Sequence, residues 1–431
     1  MKNPLKVKLQ AATVGHQIVR EILTHYHGLV AIQLWDGEFA VANNDATCTI
    51  IIKQPGVLRD LIFHRNVLHL AEDYLMQEID IVGDIECLFN LVSYLGNLNL
   101  SWTTKIRIMR LAFLLPRFQN DNSVHLIRSS QSRRANTKKT ISHHYDVGND
   151  FYNLWLDKEM VYSCAYFSDT NQTLDHAQQD KLDYICKKLR LAPDQTLLDI
   201  GCGWGALICW AAKKYGVKAH GITLSREQFD FAQQRIQKCG LQDRVTVELR
   251  SYVDLPVDVF YNRVVSVGMF EHIGVDNFPL YFKTIKRVLA PGGLFLNHGI
   301  TTDNGWQDTP LTRFINSYVF PDGELARISS VNTAMENAGF EIIDVEGLRR
   351  HYALTLRRWV NALEKNKNKA VKIVGEATYR VWRLYMSGSA YHFDDGNINV
   401  YQVLAGHDRE PLTVSLRRDE LYEKACECIT N

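Results

Sequence analysis

The spacing of apolar positions changes character twice along the chain. Early on, Gly28-Leu-Val-Ala-Ile-Gln-Leu-Trp and Glu38-Phe-Ala-Val predict two short strands turned at Asp36-Gly37, a dipeptide suited to a tight hairpin. Cys48-Thr-Ile-Ile-Ile-Lys predicts a third strand. From Pro55 the period becomes helical, with Leu58, Leu61, Ile62 and Arg65 at three- and four-residue steps. Helices are expected over 85–98 and 102–115. The pattern then dissolves into the polar, Ser-, Asn- and Arg-rich stretch 119–142, which reads as a linker. The expected organisation is a small mixed α+β domain over 1–118, a basic linker over 119–142, and a second domain over 143–431.

In that second domain strands and helices alternate. Strands are predicted at Thr196–Ile200, Lys218–Thr223, Val245–Leu249, Arg263–Val267 and Leu294–His298. Helices are predicted at Ala206–Tyr215, Arg226–Lys238 and Phe278–Leu289, and Pro291-Gly-Gly turns into the fifth strand. This rhythm predicts an α/β fold with a mainly parallel sheet and helices on both faces. Ligands on such sheets bind beyond the carboxyl ends of the strands, so the loops that follow each strand carry the chemistry. No internal repeat is present.

Composition narrows the class. Lys plus Arg is 49 and Asp plus Glu is 48 in 431 residues, a net charge of +1, which fits neither a disordered chain nor a bulk nucleic-acid binder. No helix-turn-helix or zinc finger is legible, so no nucleic acid is expected. No apolar run reaches the ~18 residues of a spanning helix. The opening MKNPLKVKLQAATVGHQ lacks the apolar block of a signal peptide. The expectation is a cytoplasmic protein. Nine cysteines without a CxxC pair predict reduced thiols and no metal site.

The first strand of the second domain runs into Leu198-Asp199-Ile200-Gly201-Cys202-Gly203-Trp204-Gly205. Glycines at a strand-to-helix turn let backbone approach a ligand, and the helix start offers free N–H groups. The spacing is G-x-G-x-G, and no Gly-Lys-Ser/Thr follows. That argues against a dinucleotide fingerprint and a phosphate-cradling loop. Over about 195–300 the chain resembles the class I S-adenosylmethionine-dependent methyltransferases. The resemblance implies a seven-stranded Rossmann-like sheet, with Asp199, Gly201 and Gly203 at the amino-acid part of S-adenosylmethionine. It usually brings an acidic residue after the second strand, and none stands there. Thr223 and Gln228 could bond a ribose or carboxylate instead, or Ser225 with Gln228 could form a helix capping box. Ser251 is the candidate after the third strand, where relatives often carry an acid.

Four further segments sharpen the resemblance: His143-His144-Tyr145-Asp146-Val-Gly148-Asn149-Asp-Phe151-Tyr152, Tyr162-Ser163-Cys164-Ala-Tyr166-Phe167, Gly268-Met-Phe-Glu271-His272-Ile-Gly274 and Asn297-His298-Gly-Ile300. From about 140 to 406 the chain resembles the cyclopropane fatty acid synthases and the related mycolic acid cyclopropane synthases. The resemblance implies transfer of the S-adenosylmethionine methyl to the cis double bond of an unsaturated phospholipid acyl chain. It also implies a bound bicarbonate as base, held by Cys164, Glu271, His298, the backbone of Ile300 and Tyr352, with Tyr145 and Ser163 on the cofactor. It suggests a homodimer. Each residue has a plainer reading too: Glu271 as a helix cap, His298 as a buried core histidine, Cys164 and the tyrosines as packing. Ser389 stands where the family commonly has a cysteine. Methyl-branching lipid methyltransferases and amine N-methyltransferases share the scaffold and are the alternatives.

The +1 charge is an average. Residues 105–139 carry nine Lys or Arg and one acid, and residues 349–372 carry eight and one. Either could be a solvated face. The alternative is contact with an anionic bilayer, the second stretch forming an amphipathic helical lid. A cytoplasmic enzyme that visits the inner face of the membrane would look like this.

Overall fold

The computed structural model describes residues 4–64, 67–117, 147–320, 323–407 and 414–422. The linker 119–142 and the motif residues His143, His144, Tyr145 and Asp146 lie outside the described residues. The chain forms two compact units.

The first unit begins with helix α1 (Pro4–Ile22), then strands β1 (Val30–Gln33), β2 (Phe39–Val41) and β3 (Cys48–Ile52). Helices α2 (Pro55–His64) and α3 (Val67–Leu75), strand β4 (Ile79–Gly83), and helices α4 (Glu86–Gly96) and α5 (Trp102–Phe113) follow. The hairpin forms where Asp36-Gly37 predicts it, with Gly37 at φ +87° and Ile32 opposite Val41. The sheet order is β2-β1-β3-β4. Cys48, Ile50 and Ile52 alternate inward along β3 and join the core with Leu88, Leu91 and Ile108. Helix α1 has no counterpart among the predicted elements. Its inward stripe is Ala11, Val14, Ile18 and Val19, a helical spacing without a contiguous apolar block.

Two later segments, 308–321 and 374–391, complete this unit. The second brings two buried arginines. Arg383 donates to the Ile81 and Gly83 carbonyls at 3.1 and 2.9 Å, and to the Tyr74 hydroxyl at 3.1 Å. Arg380 donates to the Tyr74 carbonyl and pairs with Asp80 and Glu376. Together they saturate backbone carbonyls at β4 that a buried edge must not leave bare.

The second unit holds α6 (Asn149–Tyr152), α7 (Leu174–Lys188), β5 (Thr196–Ile200), α8 (Ala206–Tyr215), β6 (Lys218–Thr223), α9 (Arg226–Lys238), β7 (Val245–Leu249), β8 (Tyr261–Val267), α10 (Phe278–Val288) and β9 (Leu289–Thr302). After α11 (Pro310–Tyr318), which belongs to the first unit, come α12 (Ile328–Asn337), β10 (Phe340–Gly347), α13 (Arg349–Lys365), α14 (Lys367–Asp395) and β11 (Ile398–His407). The sheet order is β10-β11-β9-β8-β5-β6-β7. All neighbours from β9 to β7 are parallel, and β11 is antiparallel to both of its own. One core packs α7, α8 and α9 on one face, and another packs α10 and α12 on the other. Strands covered on both faces read as near-continuous apolar runs, as Leu197–Ile200 and Val264–Val265 do. This is an α/β fold with a Rossmann-like sheet. Among the described residues no helix is long and apolar enough to cross a membrane.

Candidate active site

The glycine turn after β5 is built from positive-φ residues: Gly201 at +85°, Gly203 at +55° and Gly205 at +80°. A Cβ at Gly201 would meet Met269 at 2.6 Å, so glycine is required there for packing. A Cβ at Gly203 would meet nothing within 4 Å. That opening beside the start of α8 leaves room for a ligand. Trp204 donates its indole N–H to Asn149 Oδ1 at 2.7 Å and so ties the Gly148-Asn149 segment to this turn. Around it Tyr152, Trp155, Tyr162 and Trp359 pack ring on ring, with centroids 5.3–5.4 Å apart from Tyr152 to Trp155 to Tyr162 to Trp359.

Asp199, the fourth residue of β5, is buried and its Oδ1 has no hydrogen-bond partner. Burial pushes its carboxyl up to about 7. The nearby cation is Lys181 of α7, equally buried, whose own value burial lowers to about 8. Lys181 also feels Asp157 and Cys164, and it donates to Ser163 Oγ at 2.8 Å. Gln178, one turn earlier, donates to the Ser163 carbonyl at 2.9 Å. The Ser163–Phe167 segment is thus held from below by α7. From the other side α13 holds it: Ala165 N–H donates to Thr355 Oγ1 and Phe167 N–H to His351 Nδ1, both at 3.0 Å. Cys164 is fully buried, and its thiol donates weakly to the Ala165 carbonyl at 3.3 Å and to that of Leu348 at 3.8 Å. Burial drives its pKa well up, so the thiol is protonated at neutral pH.

Glu271 follows β8, and His298 lies within the neighbouring strand β9, which runs on past the predicted end at His298 to Thr302. Glu271 lies in the short turn after β8, where Oε1 accepts from the Ile300 N–H at 3.4 Å and Oε2 has no partner. Burial raises it to about 7. Gly299 makes this approach possible, since a Cβ there would lie 2.7 Å from Glu271 Oε2 and 2.3 Å from the Phe270 ring. His298 sits on β9, opposite Gln402 of β11 and Val267 of β8. Gln402 Nε2 is 3.1 Å from His298 Nδ1. With the amide donating, the ring proton belongs on Nε2, which has no partner. Burial, with Lys181 and Lys188 behind it, holds this imidazole neutral.

Tyr352 of α13 is buried against Phe393 and Trp359, at 4.6 and 6.0 Å between centroids. It is one turn from Leu348, whose carbonyl meets the Cys164 thiol. Thr223 and Gln228 bond one another at 2.8 Å, while Ser225 caps α9 by accepting from the Gln228 N–H. The Gln228 side chain therefore turns to Thr223 and does not close a capping box. Ser251 follows β7. Tyr145 lies outside the described residues. Within the basic stretch 349–372, Arg349 donates to the Phe393 carbonyl, Arg357 pairs with Asp394 and Arg358 donates to the Thr170 carbonyl. Lys181, Gln178 and Gln402 escape sequence reasoning.

Residues 132–403 match the family model described as mycolic acid cyclopropane synthetase. The chain belongs to that family. Residues 18–97 match a model for a domain of unknown function. The "probable fatty acid methyltransferase" of Pseudomonas putida is 39% identical over 410 residues, covering 93% of this chain and 98% of that one. The "cyclopropane mycolic acid synthase 3" of Mycobacterium tuberculosis is 38% identical over 272 residues, covering 60% of this chain and 93% of that one. Among solved structures, mycolic acid cyclopropane synthase CmaA1 complexed with SAH and CTAB has a TM-score of 0.59 at 35% identity, over 62% of this chain and 97% of its own. Coclaurine N-methyltransferase, at 20% identity and a TM-score of 0.54, shares the fold. The span matched to the mycolic acid cyclopropane synthetase family contains every candidate residue above, from Tyr145 to Gln402.

Proposed function

We propose that the chain transfers the methyl carbon of S-adenosylmethionine to the cis double bond of an unsaturated phospholipid acyl chain. The product carries a cyclopropane ring, and the lost proton passes to a bound bicarbonate. The observation that carries this reading is the set of buried, unpartnered polar atoms at the ligand end of the sheet: Asp199 Oδ1, Glu271 Oε2 and His298 Nε2. Buried polar atoms without partners are costly, and in an enzyme they mark where ligands complete the bonding.

The residues fit both groups. Bound S-adenosylmethionine supplies an electrophilic methyl, and bicarbonate supplies a base that needs donors around it. Asp199 suits the ammonium of the first, beside the open face of Gly203 and with Ser163, Thr223, Gln228, Ser251 and Tyr145 as further contacts. For the anion, His298 offers an unpartnered Nε2–H and Tyr352 a hydroxyl, while the Cys164 thiol and the Ile300 N–H would turn to it from the weak bonds they make to the Ala165 and Leu348 carbonyls and to Glu271 Oε1. Glu271, raised to about 7, can hold a proton on Oε2 and donate as well. The tilted and edge-on aromatic cluster from Tyr152 to Trp359 would keep water from this side of the site. The Pseudomonas and Mycobacterium relatives, named for fatty acid methylation and mycolic acid cyclopropanation, support a lipid acceptor. Methyl-branching chemistry differs in where the proton is lost, and amine methylation in the acceptor.

The test incubates the protein with isotope-labelled S-adenosylmethionine and unsaturated phospholipid vesicles and weighs the released fatty esters. The expected product is heavier by one CH2 and has lost its double bond. A product that gains CH2 and stays unsaturated, or a methylated amine alone, would falsify the cyclopropane reading.

Asp199 makes binding pH-dependent. Its ordinary value is 3.8 and its value in the ligand-free protein is about 7. A cation beside it favours the carboxylate, so binding expels a proton below that value. Affinity for S-adenosylmethionine should therefore rise as pH climbs from about 5 to about 7, by up to about tenfold per unit, then level off. Titration calorimetry in buffers of different ionisation heat reads the released proton directly. A flat affinity across that window would remove the ammonium from Asp199.

A further inference from the structure

Within the first unit the β1–β3–β4 face and helices α1 to α5 enclose a cavity of about 350 Å³. Its floor includes Ile32, Ile50 and Ile52, and its roof includes Leu88, Leu91 and Ile108. Apart from Gly96, every lining residue is aliphatic except one, Lys105. Protein interiors rarely hold voids larger than a few waters, and a dry void of this size forfeits contacts along its whole lining. With a water's share of volume at about 30 Å³, the space takes about a dozen methylene-sized groups.

The lining states the ligand's chemistry. No aromatic ring is present to stack on a planar ligand, and no hydrogen-bonding side chain lies inside to orient a polyol or sterol hydroxyl. A flexible hydrocarbon asks for neither. Among the described lining residues the one polar side chain is that of Lys105, and its ammonium lies 5.5 Å from the centroid of the exposed Trp102 ring, at the outer end of the lining. Val67 and Leu95 both line the cavity and stand 44% and 40% exposed, so they mark its mouth. On α5, Trp102, Ile106, Met109 and Phe113 fall on one helical face and all point outward, interleaved with Arg107 and Arg110.

We propose that this cavity binds a single fatty acyl chain, with the anionic head of its lipid at Lys105. No residue of the methyltransferase unit enters the argument, so the site stands or falls apart from the proposed reaction. The same chemistry is offered by a free fatty acid and by one chain of an anionic phospholipid. The outward apolar and basic face of α5 would admit either.

The test uses the full chain and a long-chain fatty acid carrying a mid-chain diazirine. A parallel arm uses anionic vesicles whose phospholipid carries the same acyl group. After irradiation, adducts are mapped by peptide mass spectrometry. Adducts on peptides spanning 50–62 or 88–108, competed away by unlabelled fatty acid, are expected in at least one arm, and the arm that labels identifies the source. Lys105→Glu should cut that labelling about tenfold. Leu91→Trp should fill the space and abolish labelling. Should that variant fail to fold, the Lys105 variant and the competition still decide. Adducts absent from residues 19–108 in both arms, or adducts there that resist competition and persist in the Lys105 variant, overturn the proposal.

Discussion

Glu271→Gln is expected to cut turnover about 100- to 1,000-fold, while S-adenosylmethionine binds nearly as before. The substitution keeps the size of the side chain and its place over Gly299. It removes the ability of Oε2 to exchange between proton donor and acceptor in a water-poor site. The same change has an opposite effect on stability. Wild-type Glu271 has its value raised from 4.5 to about 7 by burial. A carboxyl raised on folding contributes most below its unfolded value, and the contribution is lost as pH rises through the folded value. Above about pH 7 the wild type therefore carries a buried carboxylate that the Gln variant lacks. The variant should be the more stable protein at pH 8, by an amount on the order of 1–3 kcal/mol. Paired measurements of turnover and denaturant midpoint separate the two effects. Near-normal turnover would remove Glu271 from the catalytic set, and a less stable variant at pH 8 would deny the burial cost.

Arg383→Met should destabilise the first unit by about 3–5 kcal/mol. The guanidinium is buried and spends its N–H groups on the Ile81 and Gly83 carbonyls and the Tyr74 hydroxyl. A thioether of similar length fills the volume and satisfies none of them. Three acceptors are left without donors in a site water reaches poorly, and such atoms cost more than a surface ion pair returns. Arg383→Lys should recover only part, since an ammonium cannot span the same fork. Denaturation followed by a probe in the first unit measures the loss. A shift under about 1 kcal/mol would show that water replaces the arginine. S-adenosylmethionine binding should be far less affected, because no candidate cofactor residue belongs to this unit.

The bounds of β5, α8, β6, α9 and β7 coincide with the predicted elements because short apolar runs there end at glycines and caps. Glu271 could be placed for a related reason, since it follows β8 of the parallel sheet; His298 is predicted at the end of its strand, but β9 continues to Thr302 because β11 pairs with it there. Other features have no local signature. β10 and β11 pair antiparallel although the whole of α13 and α14 separates them, so neither announces its partner. Lys181 sits in LDHAQQDKLDYICKK, which looks like a solvated helix face. Its ammonium is taken up by Ser163 and lies near Asp157 and Asp199, all outside its own helix. Gln402 faces His298 through register alone. Arg380 and Arg383 read as surface cations until the carbonyls of β4 are set beside them. The four buried side chains share one cause: burial of a polar group is decided by a segment distant in sequence.

The first unit's composition from three stretches of chain also sets a timetable. Its core includes Phe314, Val381 and Leu384, which leave the ribosome long after Arg117. Residue 391 follows by about 270 residues, and at roughly 5–20 residues per second the delay is about 15–55 s. During that interval the β4 carbonyls and the core positions that Phe314, Val381 and Leu384 cover stand open, a substrate for a chaperone or for aggregation. For the same reason residues 1–117 do not form an exchangeable cassette. A hybrid between relatives keeps its stability only when 308–321 and 374–391 travel with them.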